Sequence, residues 1–364
     1  SAQDIASPLI KDWLGRGHPV IPIPWRSLVE IIRQRDDSVM DRRTFIGGIA
    51  RGLLVVPLAA RAQQAGKVYR IGILEAIPAA QNAANLDALR KGLRDRGYVE
   101  GKNLVIEYRS ADGRAEKFAE LATELAHLNV DLIVTRGTPA AKAAKSATGT
   151  IPVVMATMGD PRAIVASFAR PGGNITGVTT FSTELTAKRI ELLKELVPNL
   201  SHVALLHNMG NPAAPPEWEE TKTAARALGV QAELLDARSQ GDLGRTFERA
   251  VRQHVDGLLI GADGLTQMHQ KTIIELVARN RLPAAYPARE FVEAGGLIAY
   301  AVNYPELYYR FASFVDRIFK GAKPGDLPVE QPAKFELAIN LNTAKELGLT
   351  IPQSVLLRAN EVIR

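Results

Sequence analysis

The residues best placed to meet a ligand stand where apolar runs end. The run Asp131 to Thr135 is followed by Gly137-Thr138-Pro139, and the run Ile151 to Thr157 by Gly159-Asp160-Pro161. A capping side chain followed by proline at the first helical position is how a strand hands over to a helix, and the unpaired N–H groups of a helix start favour anions. Thr138, read as the N-cap, offers a hydroxyl and backbone donors to a carboxylate. Asp160 offers an acceptor to an amine or hydroxyl. Farther along, Asn208 ends the run His202 to His207, and Asp263 follows Gly257 to Gly261. Tyr286 ends Leu282 to Tyr286, with Glu290 four residues on; an aromatic face beside a carboxylate suits a cationic or zwitterionic organic solute. Each cap can equally serve its own loop with no ligand.

Other chemistries lack their residues. With Cys 0, thiol nucleophiles and thiolate metal sites are excluded. After Leu74 comes Glu75-Ala76-Ile77-Pro78, which supplies no glycine turn for a pyrophosphate, and no P-loop, H-E-x-x-H or G-x-S-x-G occurs. The 6 histidines show no ligand spacing, and His202 and His207 bracket one strand. Asp160 with Glu290 is a conceivable acid–base pair, but no nucleophile accompanies it. No cofactor, no metal and no enzymatic activity are therefore expected. Net charge is +6, and residues 63 to 364 hold 36 of the Lys+Arg and 33 of the Asp+Glu, or +3, so there is no electrostatic case for nucleic acid.

The elements that must position these groups alternate strand and helix, the signature of an α/β fold with helices on both faces of parallel sheets. Strands are predicted at Val68 to Leu74, Asn103 to Tyr108, Asp131 to Thr135, Ile151 to Thr157 and Ile175 to Thr180. A helix with Leu86, Leu89 and Leu93 on one stripe follows the first, and a short helix is expected over Ala163 to Ala169. The alternation restarts near 184, with strands at His202 to His207, Gln231 to Leu235, Gly257 to Gly261 and Leu282 to Tyr286, and one helix over Leu265 to Asn280. The span is too long for one such unit, so two are expected, divided near 178. The tail adds a strand at Leu297 to Ala301, a helix at Pro305 to Lys320 and a strand at Phe335 to Asn340. It fits either wholly on the second unit or as a return to the first, and Tyr300 and Tyr304, flanking that crossing, are read as packing on Tyr308.

Ahead of this body, Met40 opens MDRRTFIGGIARGLLVVPLAARAQQ: paired arginines, a weakly apolar stretch and the small-x-small triplet Ala60-Arg61-Ala62. That order is an export signal of twin-arginine type spanning 40–62, removed near Ala62, which places the product in the periplasm. Residues 1–39 have no link to the later pattern and are read as an upstream extension.

The stretches YRIGILE (69–75), LRDRGYVEGKNLVIEYRSADG (93–113), GTPAAKAA (137–144), PGGNITGVT (171–179), PAREFVEAGGLIAYAVNY (287–304) and FVDRIFKGAKPGDLPVEQPAKFELAINLNTAKELGLTIP (314–352) carry a resemblance over about residues 68–363. The chain resembles the substrate-binding proteins of bacterial ABC transporters with the type I periplasmic-binding fold, in particular the group for tryptophan/tyrosine-type uptake. The resemblance implies two Rossmann-like lobes joined by a three-crossing hinge, residues 68–177 with 300–327 forming lobe 1 and 178–299 with 328–364 lobe 2. It implies a monomer that traps a small organic solute, an amino acid or aromatic acid, and delivers it to an inner-membrane ABC permease. Pocket groups come from strand ends, here Glu75, Gly137, Thr138, Asp160, Asn208, Asp263, Tyr286 and Glu290, with Thr179, Thr180 and Tyr300 at the hinge. Glu75-Ala-Ile-Pro and Asn208-Met-Gly-Asn depart from the pattern of relatives. A solute sensor for a membrane receptor, a transcriptional regulator and an enzyme on the same scaffold are the alternative functions.

Overall fold

Near-continuous apolar runs make strands that are covered on both faces. Leu132 to Arg136 is buried at every position, as is Ile175 to Thr179. A computed structural model describes residues 67–157, 161–180, 182–332 and 334–364. The expected export signal at 40–62, the stretch 1–39 and Asp160 lie outside the described residues.

The first sheet holds β1 (Tyr69–Glu75), β2 (Leu104–Ser110), β3 (Leu132–Arg136), β4 (Val153–Thr157) and β5 (Ile175–Thr179), all parallel in the order β2-β1-β3-β4-β5. The helices α1 (Ala83–Arg94), α2 (Phe118–His127) and α3 (Thr138–Ala147) connect them. Leu86, Leu89 and Leu93 of α1 are buried, as their spacing predicts. The expected helix over Ala163 to Ala169 does not form beyond a turn of 3-10 helix at Pro161–Ala163. Backbone there is committed elsewhere: Ala166 N–H donates to the Pro171 carbonyl, and the Phe168 carbonyl accepts from Val329 N–H.

Next in the chain come α4 (Ser182–Leu196), β6 (His202–His207), α5 (Ala214–Ala227), β7 (Gln231–Asp236), α6 (Gln240–Arg252) and β8 (Gly257–Ile260). The expected helix over Leu265 to Asn280 is broken at His269 into α7 (Gly264–Met268) and α8 (Gln270–Arg279). Then follow β9 (Ala284–Tyr286), α9 (Arg289–Glu293), β10 (Ile298–Ala301), α10 (Tyr304–Phe319), β11 (Glu336–Asn340), α11 (Leu341–Glu346), α12 (Gln353–Leu356) and β12 (Glu361–Ile363). The second sheet is ordered β12-β11-β10-β9-β8-β6-β7, with β11 antiparallel to β10 and the other pairs parallel. Its core is the order of the first sheet repeated, β7-β6-β8-β9-β10, extended by the tail.

The tail returns to the first lobe: α10 packs on α1, Tyr98 Oη donates to Asp316 (3.1 Å) and Tyr309 Oη to Asp95 (2.9 Å). Three stretches of chain therefore pass between lobes. β5 keeps Val178 and Thr179 in the first sheet, and Thr179 N–H donates to the Glu330 carbonyl while Glu330 N–H donates to Gly177. The first and third crossings thus fall after 179 and 330, later than 178 and 328, and β10 keeps Tyr300 and Ala301 in the second sheet. Asn303 ties two crossings together, capping α10 at Glu306 N–H (2.8 Å) while its side-chain amide donates to Glu336 (2.8 Å). Tyr300 packs on Phe335 rather than Tyr308, whose ring meets Phe311 at a tilt within α10.

Candidate functional site between the lobes

In a sheet ordered 2-1-3-4-5 the helices leaving strands 1 and 3 go to opposite faces, and the strand ends border a crevice. The first lobe places Glu75 and Arg136 there, on neighbouring strands with Leu74 paired to Thr135. The second lobe places His207 there, with Gly261 and Asp263 just beyond β8. The two crevices face each other. Ala76, Arg136 and Gly137 line one side of a cavity of about 20 Å³, and Asn211, Asp263 and Gly264 the other. The gap is shut in this conformation: a Cβ on Gly264 would sit 2.7 Å from the Ala76 Cβ.

Glu75 is fully buried. Its carboxylate accepts from Asn82 Nδ2 (3.2 Å) and Ala76 N–H (3.3 Å), and Asn82 in turn accepts from Asn85 (2.8 Å). Burial pushes its pKa up to about 7, with the Arg136 charge and these two donors opposing the rise. Arg136 is 4% exposed and was not among the residues expected from sequence. Its guanidinium lies over the Tyr304 ring, 3.8 Å from the centroid, a cation–π contact at the start of α10. Its Nε has no hydrogen-bond partner, and among the described residues no carboxylate stands within ion-pair distance of it. Burial works against the Arg136 charge, yet Tyr304, Glu75 and Glu290 together hold its pKa above the ordinary value. Glu290, on α9 of the other lobe, keeps one buried carboxylate oxygen, Oε2, without a partner.

Behind the second-lobe crevice lies a buried ion cluster, also absent from the expected set. Glu217 of α5 meets Arg189 of α4 (3.6 Å) and His207 Nε2 (3.3 Å), and accepts from the Thr186 hydroxyl (3.0 Å). Arg189 Nε donates to the Tyr300 carbonyl (3.0 Å), pinning the strand that leads into the second crossing. Burial lowers the Arg189 pKa. Burial would also lower that of His207, but the Glu217 carboxylate outweighs it and raises the value. For Glu217 burial pushes upward, and His207, Arg189 and Thr186 bring the pKa below the usual carboxylate range. His207 reaches this depth because residue 261 is glycine: a Cβ there would lie 2.1 Å from the imidazole Cδ2.

The expected residues divide. Gly137 and Asp263 border the gap, Glu75 is fully buried next to Ala76, which lines it, and the charge of Glu290 acts on Arg136 and Tyr304. Thr138 is the first residue of α3 rather than its cap; Gly137 is the cap, with φ 91°, a left-handed backbone that favours glycine. The Asp263 oxygens are taken by Leu265 N–H (2.8 Å) and Asn211 Nδ2 (2.7 Å), so its carboxylate is a helix cap. Asn208 turns its own loop by accepting from Gly210 N–H (2.9 Å). Tyr286 is fully buried in the second-lobe core, stacked on Phe291 at 5.2 Å, and does not present a ring to the gap. Thr179 and Thr180 are buried at the first crossing. Of the missed groups, Arg136 had one signal, a guanidinium closing an otherwise apolar strand, Leu-Ile-Val-Thr-Arg.

The family described as ABC transporter substrate binding protein matches residues 70–363. A tyrosine-binding protein of Clostridioides difficile (strain R20291) is 25% identical over 271 residues, 73% of this chain and 78% of that protein. A conserved domain protein of Vibrio cholerae superposes with a TM-score of 0.76 at 28% identity, covering 81% of this chain and 100% of its own. The ABC domain in complex with L-Trp from Streptococcus pneumonia gives 0.75 at 29% identity, covering 82% of this chain and 100% of its own. With two doubly wound lobes closing on one polar gap, the chain belongs to the ABC transporter substrate-binding proteins of type I periplasmic-binding fold, components of ABC importers that hold a small solute and catalyse nothing.

Proposed function

We propose that the protein captures an α-amino acid with an aromatic side chain in the periplasm and delivers it, as a monomer, to an inner-membrane permease. The observation that carries this reading is Arg136: a buried guanidinium with a free Nε at the strand ends, on the wall of the gap. A buried cation without an anionic partner is costly, and a planar fork is matched by a carboxylate. The solute carboxylate would complete it, while the ammonium faces the carboxylates on either side, Glu75 and Glu290. The proteins of C. difficile and S. pneumonia named for tyrosine and L-Trp support the aromatic side chain. Residues 40–62 would act as the export signal.

Binding contacts from both lobes favour closure, and the permease reads that population. The test is mass spectrometry of what co-purifies, followed by thermal-shift screening with L-tryptophan, L-tyrosine, L-phenylalanine and L-leucine. An aromatic amino acid should raise the unfolding temperature. No response to any of the four overturns the reading.

A further inference from the structure

The gap is not the roomiest hollow along the hinge. A cavity of about 100 Å³, against about 20 Å³ for the gap, touches all three crossings. Its walls include Val178 near the end of β5, Val302 between β10 and α10, Pro332 and Lys334 ahead of β11, and Glu306 and Arg310 of α10. Helical spacing tells which side of the hinge it occupies. Tyr304, the first residue of α10, covers Arg136 on the wall of the gap. At about 100° per residue, Glu306 and Arg310 stand about 200° and 240° around the helix from Tyr304. The cavity therefore lies behind the hinge, turned away from the gap.

Chain on either side of this cavity is fixed to different lobes. Glu330 belongs to the first: its backbone pairs with Gly177 and Thr179, and its carboxylate with Arg310. Glu336 belongs to the second, in β11 against β10. The third crossing thus turns between 330 and 336, where Pro332 and Lys334 wall the cavity. A rotation that parts the strand ends in front of a hinge brings the chain behind it together, so opening the gap takes room from the cavity. We propose that the rear cavity is the clearance the lobes need in order to open, and that the side chains around it, none of which lines the gap, set solute affinity through the balance of open and closed forms. A solute that binds the closed form is held less tightly in proportion to the protein that is not closed. Filling the cavity therefore raises affinity, and widening it lowers affinity. The walls given by Val178, Val302, Leu307 and Pro332 suit an apolar filler. This rests on hinged capture between the lobes and not on which solute is captured.

The sequence has Cys 0, so one introduced cysteine is labelled alone. Glu306→Cys sits exposed at the cavity, and the cap of α10 survives the change because Glu306 contributes only its backbone N–H to it. In the full chain this cysteine is converted to its methyl or benzyl mixed disulfide; Lys320→Cys, exposed just past α10, carries the same adducts as the control. X-ray scattering of the solute-free protein reads the balance of open and closed forms. Calorimetry with L-tryptophan, or whichever of the four screened amino acids binds, reads affinity. The benzyl adduct at 306 should shrink the radius of gyration relative to the methyl adduct and tighten binding about 5-fold or more. The gain in affinity should match the gain in closed fraction. Val302→Ala, which widens the cavity, should move both readings the other way, and the adducts at 320 should move neither. A benzyl adduct at 306 that leaves the radius of gyration unchanged or enlarges it, or one that acts equally at 320, overturns the proposal. If none of the four amino acids binds, the scattering of solute-free protein still decides it, and the amino-acid reading alone falls.

Discussion

Replacing Glu217 by glutamine preserves shape and removes one charge from a cluster no solvent reaches. Arg189, 2% exposed, then loses a counter-charge at 3.6 Å, and His207 loses the carboxylate at 3.3 Å that raises its pKa. Breaking a buried ion pair costs about 3–5 kcal/mol. Here the Tyr300 carbonyl still receives Arg189 Nε, and His207 can shed its proton, so the lower end, about 3 kcal/mol, is expected. For the body over residues 67–364, at about 2.1 cal/mol/K of unfolding entropy per residue, that is a fall in Tm of about 5 °C. The pH dependence identifies the cause. His207 is raised above 6.5, so its share of stability is fully present below about 6.5 and is lost as pH climbs through the folded value. Glu217 is lowered below 4.5, so its share is present above about 4.5 and is lost as pH falls through its folded value. The gap between wild type and variant should be widest between these limits and narrow on the alkaline side. Urea denaturation from about pH 5 to about pH 9 measures it. A gap that does not change with pH, or a variant as stable as wild type throughout, refutes the assignment of charge to this cluster.

Arg136→Met should weaken amino-acid binding by about 10- to 150-fold, the worth of charge-assisted hydrogen bonds of about 1.5–3 kcal/mol, and Arg136→Lys should recover part of it without the planar fork; calorimetry decides. Gly261→Ala forces the His207 ring off Glu217, because the new Cβ would lie 2.1 Å from it, and should cost about 1–3 kcal/mol by denaturation. Gly264→Val places bulk 2.7 Å from the Ala76 Cβ across the gap, so it should hold the lobes apart: a larger radius of gyration with solute in X-ray scattering and weaker binding, with the unfolding free energy of the solute-free protein changed by less than about 0.5 kcal/mol.

Local patterns in this chain are read well and meetings between distant elements are not. The strand His202 to His207 and the burial of Leu86, Leu89 and Leu93 follow from spacing alone, because a strand or helix face repeats every few residues. Thr138 reads as the cap because threonine is the better cap by side chain, whereas the chain needs a left-handed backbone at 137 and glycine supplies it. Tyr286 and Asp263 look like ligand groups at strand ends, yet one is absorbed by packing on Phe291 and the other by Leu265 and Asn211. No local pattern announces Arg189, His207 and Glu217 as a cluster. They lie on α4, β6 and α5, and only the folding of those elements onto one lobe brings them together. Arg136 reads as an ordinary charged strand end until Tyr304, far along the chain, returns with α10 to cover it.

That return gives the hinge its energetic meaning. Moving a two-state protein from almost fully open to almost fully closed takes a difference of about 5.5 kcal/mol in the solute's affinity for the two states. A single charge-assisted contact supplies about 1.5–3 kcal/mol, so Arg136 alone cannot drive closure, and contacts confined to the first lobe would bind open and closed forms alike. Closure requires that the second lobe add something only when shut. Glu290, with one buried oxygen unpartnered and its charge acting on Arg136 and Tyr304, is the group we propose for that contribution. On the proposed reading, first-lobe residues would set how tightly the open form first holds the solute, and Glu290 would set how far that holding is converted into closure. Glu290→Gln should therefore leave a bound but more open protein, seen as a larger radius of gyration in scattering at saturating solute, whereas Arg136→Met should lose occupancy. If saturated Glu290→Gln closes as fully as wild type, the second-lobe contribution lies elsewhere.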